Sequence, residues 1–449
     1  MTNTYRGGPG TPILTAEALG IPDERERYAI RKNIVARKIN SVLLPAMRRH
    51  GIDMWILLSR EFHPDPLLLD LGGGWPGVRS AFIFFDDGSD VPQKLIISSH
   101  ELREDLFSEV YTQQLYGYGS EGLSPYLREA VHSRHPQRIG INISPTLPMA
   151  DGLSATLKQY LEDAIGPEYS ARLVSAELLA RDFRASRIPE EHGVFKRLCE
   201  WTVAWCEEAF SQRVIWPRIT TCADVYWWMR STARRLGMEL EFLPAIRINR
   251  RGQPLPTNLD SEPIMPGDLL TLDAGLAFDL FRSDYQRTAY VLQPGEIEPP
   301  ASLQQAFGAS LRMRDQLTTR MEPGKLGHCV WEETMAWAQE QGYDIMYPQV
   351  TGRKTVVTPM VGIYSHSLGN STHDIDTRIA VDSPVAYGDR VRYPLQVNRW
   401  FAIELAVCTP IPEWEGRAAL IPIEEDAALT ERGVEYFARQ QTELMVIPS

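Results

Sequence analysis

The sequence predicts an α/β domain over residues 1–184 followed by an α+β body over residues 185–449. Three observations lead to that expectation. At 449 residues the chain is longer than a single hydrophobic core usually grows, so at least two domains are expected. Its first part alternates short apolar runs with helical patterns, as an α/β unit does. Near residue 180 that alternation gives way to long helices with strand pairs between and after them.

Residues 1–25 are rich in Gly and Pro and read as a surface arm. ERERYAIRKNIVARKINSVLLPAMRRH (24–50) follows as an amphipathic helix, with Ile34, Val35, Ile39 and Leu43 on its apolar side and Gly51 as its stop. MWILL (54–58), AFIFF (81–85), KLIIS (94–98) and RIGINI (138–143) read as strands, with helices at 123–132 and 152–163. Pro189 opens a long helix whose first turn carries Glu190 and Glu191, where they complement the helix dipole. The domain boundary is placed just before it. Thr221 and Asp224 cap a further helix, and two more span 301–322 and 329–341. Strand-like segments at 267–291 and 386–430 complete the body. Trp201, Trp205, Trp227 and Trp228 fall on the helices and read as packing aromatics.

Composition narrows the function. The net charge is -12, from 46 Lys and Arg against 58 Asp and Glu. A surface built to grip phosphate backbones is basic, so nucleic acid is not an expected partner. The five cysteines are scattered without CxxC spacing and read as thiols in a reducing compartment. No run approaches the ~18 apolar residues of a membrane span, and the first twenty residues lack the pattern of a signal peptide. A cytoplasmic protein without a membrane partner is expected.

The chemistry is concentrated in the second domain. In GDLLTLDAGLAFDLFRSDYQRTAYVL (267–292), which reads as two antiparallel strands, Asp273 follows an apolar run and Asp284 comes eleven residues later. Alone, Asp273 could be a turn residue and Asp284 a surface group. RWFAIELAV (399–407) sets Glu404 inside an apolar strand, ALIPIEEDAAL (419–429) sets Glu424 just after another, and HSLGNSTHD (366–374) holds His366 and His373. A carboxylate in an apolar strand is costly unless paired or bound to metal. Two Asp, two Glu and a His from strand contexts of one domain form a ligand set for a pair of divalent ions.

The order DAG, SDYQRT, HSLGNSTHD, IEL, IEED resembles the pita-bread metallopeptidases, which include methionine aminopeptidases, Xaa-Pro aminopeptidases, prolidases and their relative creatinase. The preceding α/β region resembles the N-terminal domain of the creatinase and prolidase branch. The resemblance implies a pita-bread C-terminal domain in which Asp273, Asp284, His366, Glu404 and Glu424 hold two divalent metal ions, of manganese, cobalt, zinc or iron. It implies Glu404 as the proton-transferring base, and His373 facing the substrate by way of a bend at Gly369. It also implies a homodimer. The activity implied is a dinuclear metal-dependent hydrolase, an Xaa-Pro aminopeptidase or prolidase-like enzyme acting on short peptides. The alternatives are the same fold and metal site acting on a non-peptide small molecule, as in creatinase or a dimethylsulfoniopropionate lyase, or a non-catalytic binding module like the peptidase-like domain of a histone chaperone subunit.

Three departures fall around the ligands. The segment AIRINRRGQPLPTNLD (245–260) lacks the upstream His of the peptidases, Gly362 stands where Xaa-Pro enzymes often have His, and Leu405 and Pro422 replace the Pro and Arg beside the two Glu ligands. The metal shell is intact while the substrate shell is rebuilt. Arg247 and Arg250, with Arg251, read either as a solvated basic loop or as substrate-binding groups for an anion. Arg287 and Thr288 are read as supports for Asp284.

Overall fold

The structure is a computed structural model that describes residues 14–449 except Gly74, 101–104, Tyr118, 252–260, 347–357 and Gly416. The arm expected at 1–13 and the segment 252–260 that lacks the upstream His lie outside the described residues. Two compact units are present, one of residues 23–192 and one of residues 193–449 together with residues 14–22.

In the first unit, helix Glu24–Lys38 passes through a wider π turn at Ile39–Leu43 before Leu44–Arg49. Pro45 follows that turn, and a residue that lacks an amide N–H and whose ring crowds the preceding carbonyl favours such a widening. Six strands follow: β1 (Met54–Arg60), β2 (Arg79–Phe85), β3 (Gln93–Ser98), β4 (Gln113–Tyr116), β5 (Ile139–Ile141) and β6 (Leu173–Ser175), in the order β4-β3-β2-β1-β5-β6. Met54, Ile56 and Leu58 of β1 pack with Leu127, Val131, Leu157 and Leu161 of the two helices expected from the pattern. Strands β4 and β6 are not legible in the sequence, because they are short edge strands without a continuous apolar run.

Helix Pro189–Ala209 leads into the second unit, where Cys222–Arg235 begins with a complete Thr221/Asp224 capping box. Trp201 and Trp205 are buried as expected. Trp227 is not: it is 58% exposed, because Val225 and Met229 take the buried side of the helix and position 227 falls opposite them.

The strands of this unit are β7 (Ala245–Asn249), β8 (Leu269–Ala274), β9 (Ala277–Phe278), β10 (Phe281–Arg282), β11 (Tyr285–Val291), β12 (Asp344–Ile345), β13 (Met360–Ile363), β14 (His366–Ser367), β15 (Arg399–Pro410), β16 (Ala418–Thr430), β17 (Gly433–Tyr436) and β18 (Met445–Ile447). The main sheet runs β12-β13-β15-β16-β11-β8-β7, with β14 beside β15. The strand expected from 386 begins only at Arg399, and the preceding stretch holds helical turns at Pro384–Tyr387 and Arg390–Arg392.

Side chains alternate across a strand, so one face decides the other. Val361, Ile363, Ile403, Leu405, Val407, Ile421 and Ile423 pack against helices Ala301–Arg320 and Gly327–Glu340. All are odd-numbered. The even-numbered residues between them, Gly362, Glu404, Pro422 and Glu424, therefore stand on the opposite face. Leu405, one departure from the peptidase pattern, is simply part of this core.

Candidate metal centre

Strand register builds the site in two adjacent rows. Asp273 pairs with Gln286, Gln286 with Glu424, and Glu424 with Glu404, so these four side chains share one face of β8, β11, β16 and β15. In the next row, two residues along each strand, His366 pairs with Ala402 and Ala402 with Asp426. Asp284 completes this row, its backbone N–H donating to Asp426 Oδ2 at 3.0 Å. All five ligand positions read from the sequence thus come together on one face.

His366 Nε2 lies 3.8 Å from Asp284 Oδ2, 3.8 Å from Glu404 Oε2 and 3.7 Å from Glu424 Oε1. Those separations are too long for hydrogen bonds and match donors that share an ion about 2.0–2.2 Å from each. Ligand atoms of Asp273, Asp284 and Glu424 also lie within 4.8 Å of one another. The imidazole Nδ1 donates to the Ser367 carbonyl at 3.2 Å, which leaves the Nε2 lone pair facing the carboxylates. His366 Nε2, Asp284 Oδ1 and Glu424 Oε1 are buried without a hydrogen-bond partner among the described residues. Buried polar atoms are rarely left so. Orphaned donor atoms converging from a His and carboxylates fit divalent cations.

The electrostatics agree. Burial, then the neighbouring carboxylates, pushes Asp284 and Glu424 well above the ordinary range. The same causes push Glu404 up to about 7. Burial pushes Asp273 up to about 6, with Arg247 pulling it down. Burial, then His373, holds His366 far below its usual pKa, in the neutral form that ligates.

A cavity of about 390 Å³ opens over this floor, walled by Glu241, Phe242 and the Ser371–His373 turn. His373 lines it and meets His366 edge to face, ring centroids 4.4 Å apart. Gly369 has φ +146°, a conformation glycine adopts most readily, as a bend between the two histidines requires.

Other assignments come out differently. Arg247 stands opposite Thr271, on the face that carries Asp273, and its charge acts on Asp273 and Glu404. Arg250 is not brought to the site. Just past the end of β7, its guanidinium is held by Asp268 at 2.8 Å and Glu262 at 2.9 Å, and it borders a different cavity. Arg287 pairs with Glu425 at 3.2 Å, and the Thr288 N–H bonds Gln441. The support for Asp284 is instead Asp426, which also accepts the Cys199 thiol.

Glu241 carries no signal in the sequence, yet it fixes the turn that presents His373. Its carboxylate accepts the Ser371 hydroxyl at 2.6 Å and both the N–H and hydroxyl of Thr372. Misplacing a reacting group by about 1 Å costs about 10²-fold. Glu241→Ala is expected to lower kcat/KM by about that factor with bound metal unchanged, as steady-state kinetics and metal analysis would show.

The sequence matches metallopeptidase family M24 over residues 194–431, more than half of the chain. No curated protein is matched by the sequence. Among solved structures, the fold is similar to that of X-Pro aminopeptidase from Thermotoga maritima MSB8, with a TM-score of 0.65 and 17% identity, covering 90% of this chain and 99% of that one. Xaa-Pro dipeptidase from Bacillus anthracis gives a TM-score of 0.64 and 18% identity, covering 92% and 99%. The N-terminal domain of FACT complex subunit SPT16 from Cicer arietinum gives a TM-score of 0.59 and 10% identity, covering 93% and 99%. At these identities the likeness is one of fold.

Proposed function

We propose, for a chain that belongs to metallopeptidase family M24 and is thus a metallohydrolase, that its substrates are short peptides with an Xaa-Pro bond. We further assign it two divalent ions, of manganese, iron, cobalt or zinc, at Asp273, Asp284, His366, Glu404 and Glu424. The observation that carries this reading is the convergence of those five side chains on one sheet face, with orphaned donor atoms on Asp284, His366 and Glu424.

Ions held there would supply Lewis acidity, making a water nucleophilic near neutral pH and polarising the scissile carbonyl. The remaining work falls to protein groups. Glu404, which lines the cavity, is placed to take a proton from the attacking water and return it to the leaving nitrogen. Gln286 donates to Glu404 Oε1 at 3.2 Å and orients it. His373 faces the substrate from the cavity wall and donates to the oxygen on which charge develops. Arg247, one row along the sheet from Asp273, supplies positive charge that acts on Asp273 and Glu404.

The test is a panel of Xaa-Pro dipeptides and longer Xaa-Pro peptides, supplied with manganese, cobalt or zinc and followed by release of the N-terminal residue. Cleavage is expected. A protein that binds metal yet cleaves none of them would remove the peptidase reading. Gly362 and Pro422, beside the two Glu ligands on the site face, favour one second reading: the same metal site acting on a non-peptide small molecule. Turnover in a metabolite screen, with the peptides untouched, would select it.

A further inference from the structure

The face that carries Glu404 holds one more polar group, and strand register places it. β13 pairs with β15 through Gly362↔Ala406 and Ile363↔Leu405, and β14 resumes the same register at His366↔Ala402. Tyr364 is thereby directly opposite Glu404, its N–H donating to the Glu404 carbonyl at 3.0 Å. Ser365 Oγ pins this register by donating to the Glu404 carbonyl at 2.9 Å and accepting its N–H at 2.8 Å. Directly opposed residues of an antiparallel pair project to the same face. The Tyr364 side chain therefore rises beside Glu404, at the end of the row Asp273, Gln286, Glu424, Glu404.

The ring leans along the strand over Gly362. A Cβ on residue 362 would run into the Tyr364 hydroxyl and lie 2.7 Å from Cζ and 3.1 Å from Cε2, so the hydroxyl sits over Gly362 and any other residue there displaces the ring. Tyr364 is half-buried, and its hydroxyl has no hydrogen-bond partner among the described residues. A phenol is neutral at physiological pH and able to donate. Its neighbour Glu404 is the group that meets the reacting atoms in the reading above.

We propose that Tyr364 is a substrate-binding residue whose hydroxyl, over Gly362, donates to an acceptor oxygen of the substrate where it extends past Glu404, and that residue 362 is glycine in order to seat it. This rests on the hydrolase reading and deepens it. The rebuilt substrate shell is then a replacement rather than a loss, with the phenol filling the space a larger residue at 362 would take. A site built around a hydroxyl donor favours substrates with an oxygen at that point and discriminates against analogues lacking it.

The test compares Tyr364→Phe, Gly362→Ala and the double variant, each metal-loaded and full-length. Tyr364→Phe keeps the ring and removes one oxygen. It is expected to lower kcat/KM about 10–100-fold with metal content and Tm unchanged. Gly362→Ala, which displaces the ring, is expected to do comparable damage, and the double variant to be no worse than the poorer single. Full activity in Tyr364→Phe, or losses that multiply in the double variant, would overturn the proposal. Thermal unfolding gives a readout apart from turnover: Gly362→Ala lowers Tm in the wild-type background but not in Tyr364→Ala, and equal losses in both would show that the ring is not seated there. If the metal-loaded wild type cleaves no peptide, it is the peptidase reading that fails. Calorimetric binding of the dipeptide Ala-Pro then decides this inference, with a Kd weakened in Tyr364→Phe supporting it and an unchanged Kd rejecting it.

Discussion

Glu404→Gln is expected to lower kcat by about 10³-fold, within the range that positioned general acid–base groups supply. The substitution preserves volume and leaves an amide oxygen where Glu404 Oε1 accepts from Gln286. Fold and Tm should therefore survive. What is lost is the ability to hold a proton between the attack of water and the departure of nitrogen. Glu404 suits that role because it lines the cavity and is oriented by the Gln286 hydrogen bond. Asp284 and Glu424 are buried more deeply. Stopped-flow and steady-state kinetics beside metal analysis separate the roles. A kcat loss with metal still bound assigns proton transfer to Glu404, whereas loss of metal in parallel with activity would make it a ligand only.

The candidate ligand set was legible in the sequence for a physical reason: acids interrupt or bound apolar strands, where an unpaired carboxylate is costly. Asp273, Glu404 and Glu424 stand out this way, Asp284 and His366 join them from strand contexts of the same domain, and resemblance gave each its role. Groups that depend on register were not legible. Tyr364 reads as one more apolar residue of MVGIYS until β15 is laid beside it and brings Glu404 opposite. Glu241 acts through a turn 130 residues away in the chain, and no local pattern reports such a contact. Arg247 and Arg250 look alike in AIRINRR. Strand parity aims the first along the face of Asp273, while the second, beyond the strand end, finds Asp268. The helical body was easier, since long periodic segments and capping residues are local signals. Where Trp227 and the stretch 386–398 went differently, solvent exposure and helical turns won over apolar composition.

Removing the ions is expected to make stability fall as pH rises from about 6.5 to 8.5, the reverse of the loaded protein. In the metal-free fold the four acids have pKa values above those of the unfolded chain, with Asp273 at about 6, Glu404 at about 7 and the other two higher. The folded state therefore binds more protons than the unfolded one. By linkage, the stability these groups contribute is complete below about pH 4 and is lost as pH climbs through their folded values. His366 works in the opposite sense, because its folded pKa is depressed and its contribution is lost as pH falls below about 6.5, so the acids decide the slope only above that point. The carboxylates titrate as a coupled set, and their combined effect should reach a few kcal/mol. Bound cations invert the slope, since they need the deprotonated ligands and displace their protons, adding stability that grows with occupancy. Thermal unfolding of chelated and manganese-loaded protein at a series of pH values reads both slopes. A chelated protein whose Tm rises from pH 6.5 to 8.5 would mean that the four carboxylates do not crowd one another as this face of the sheet has them.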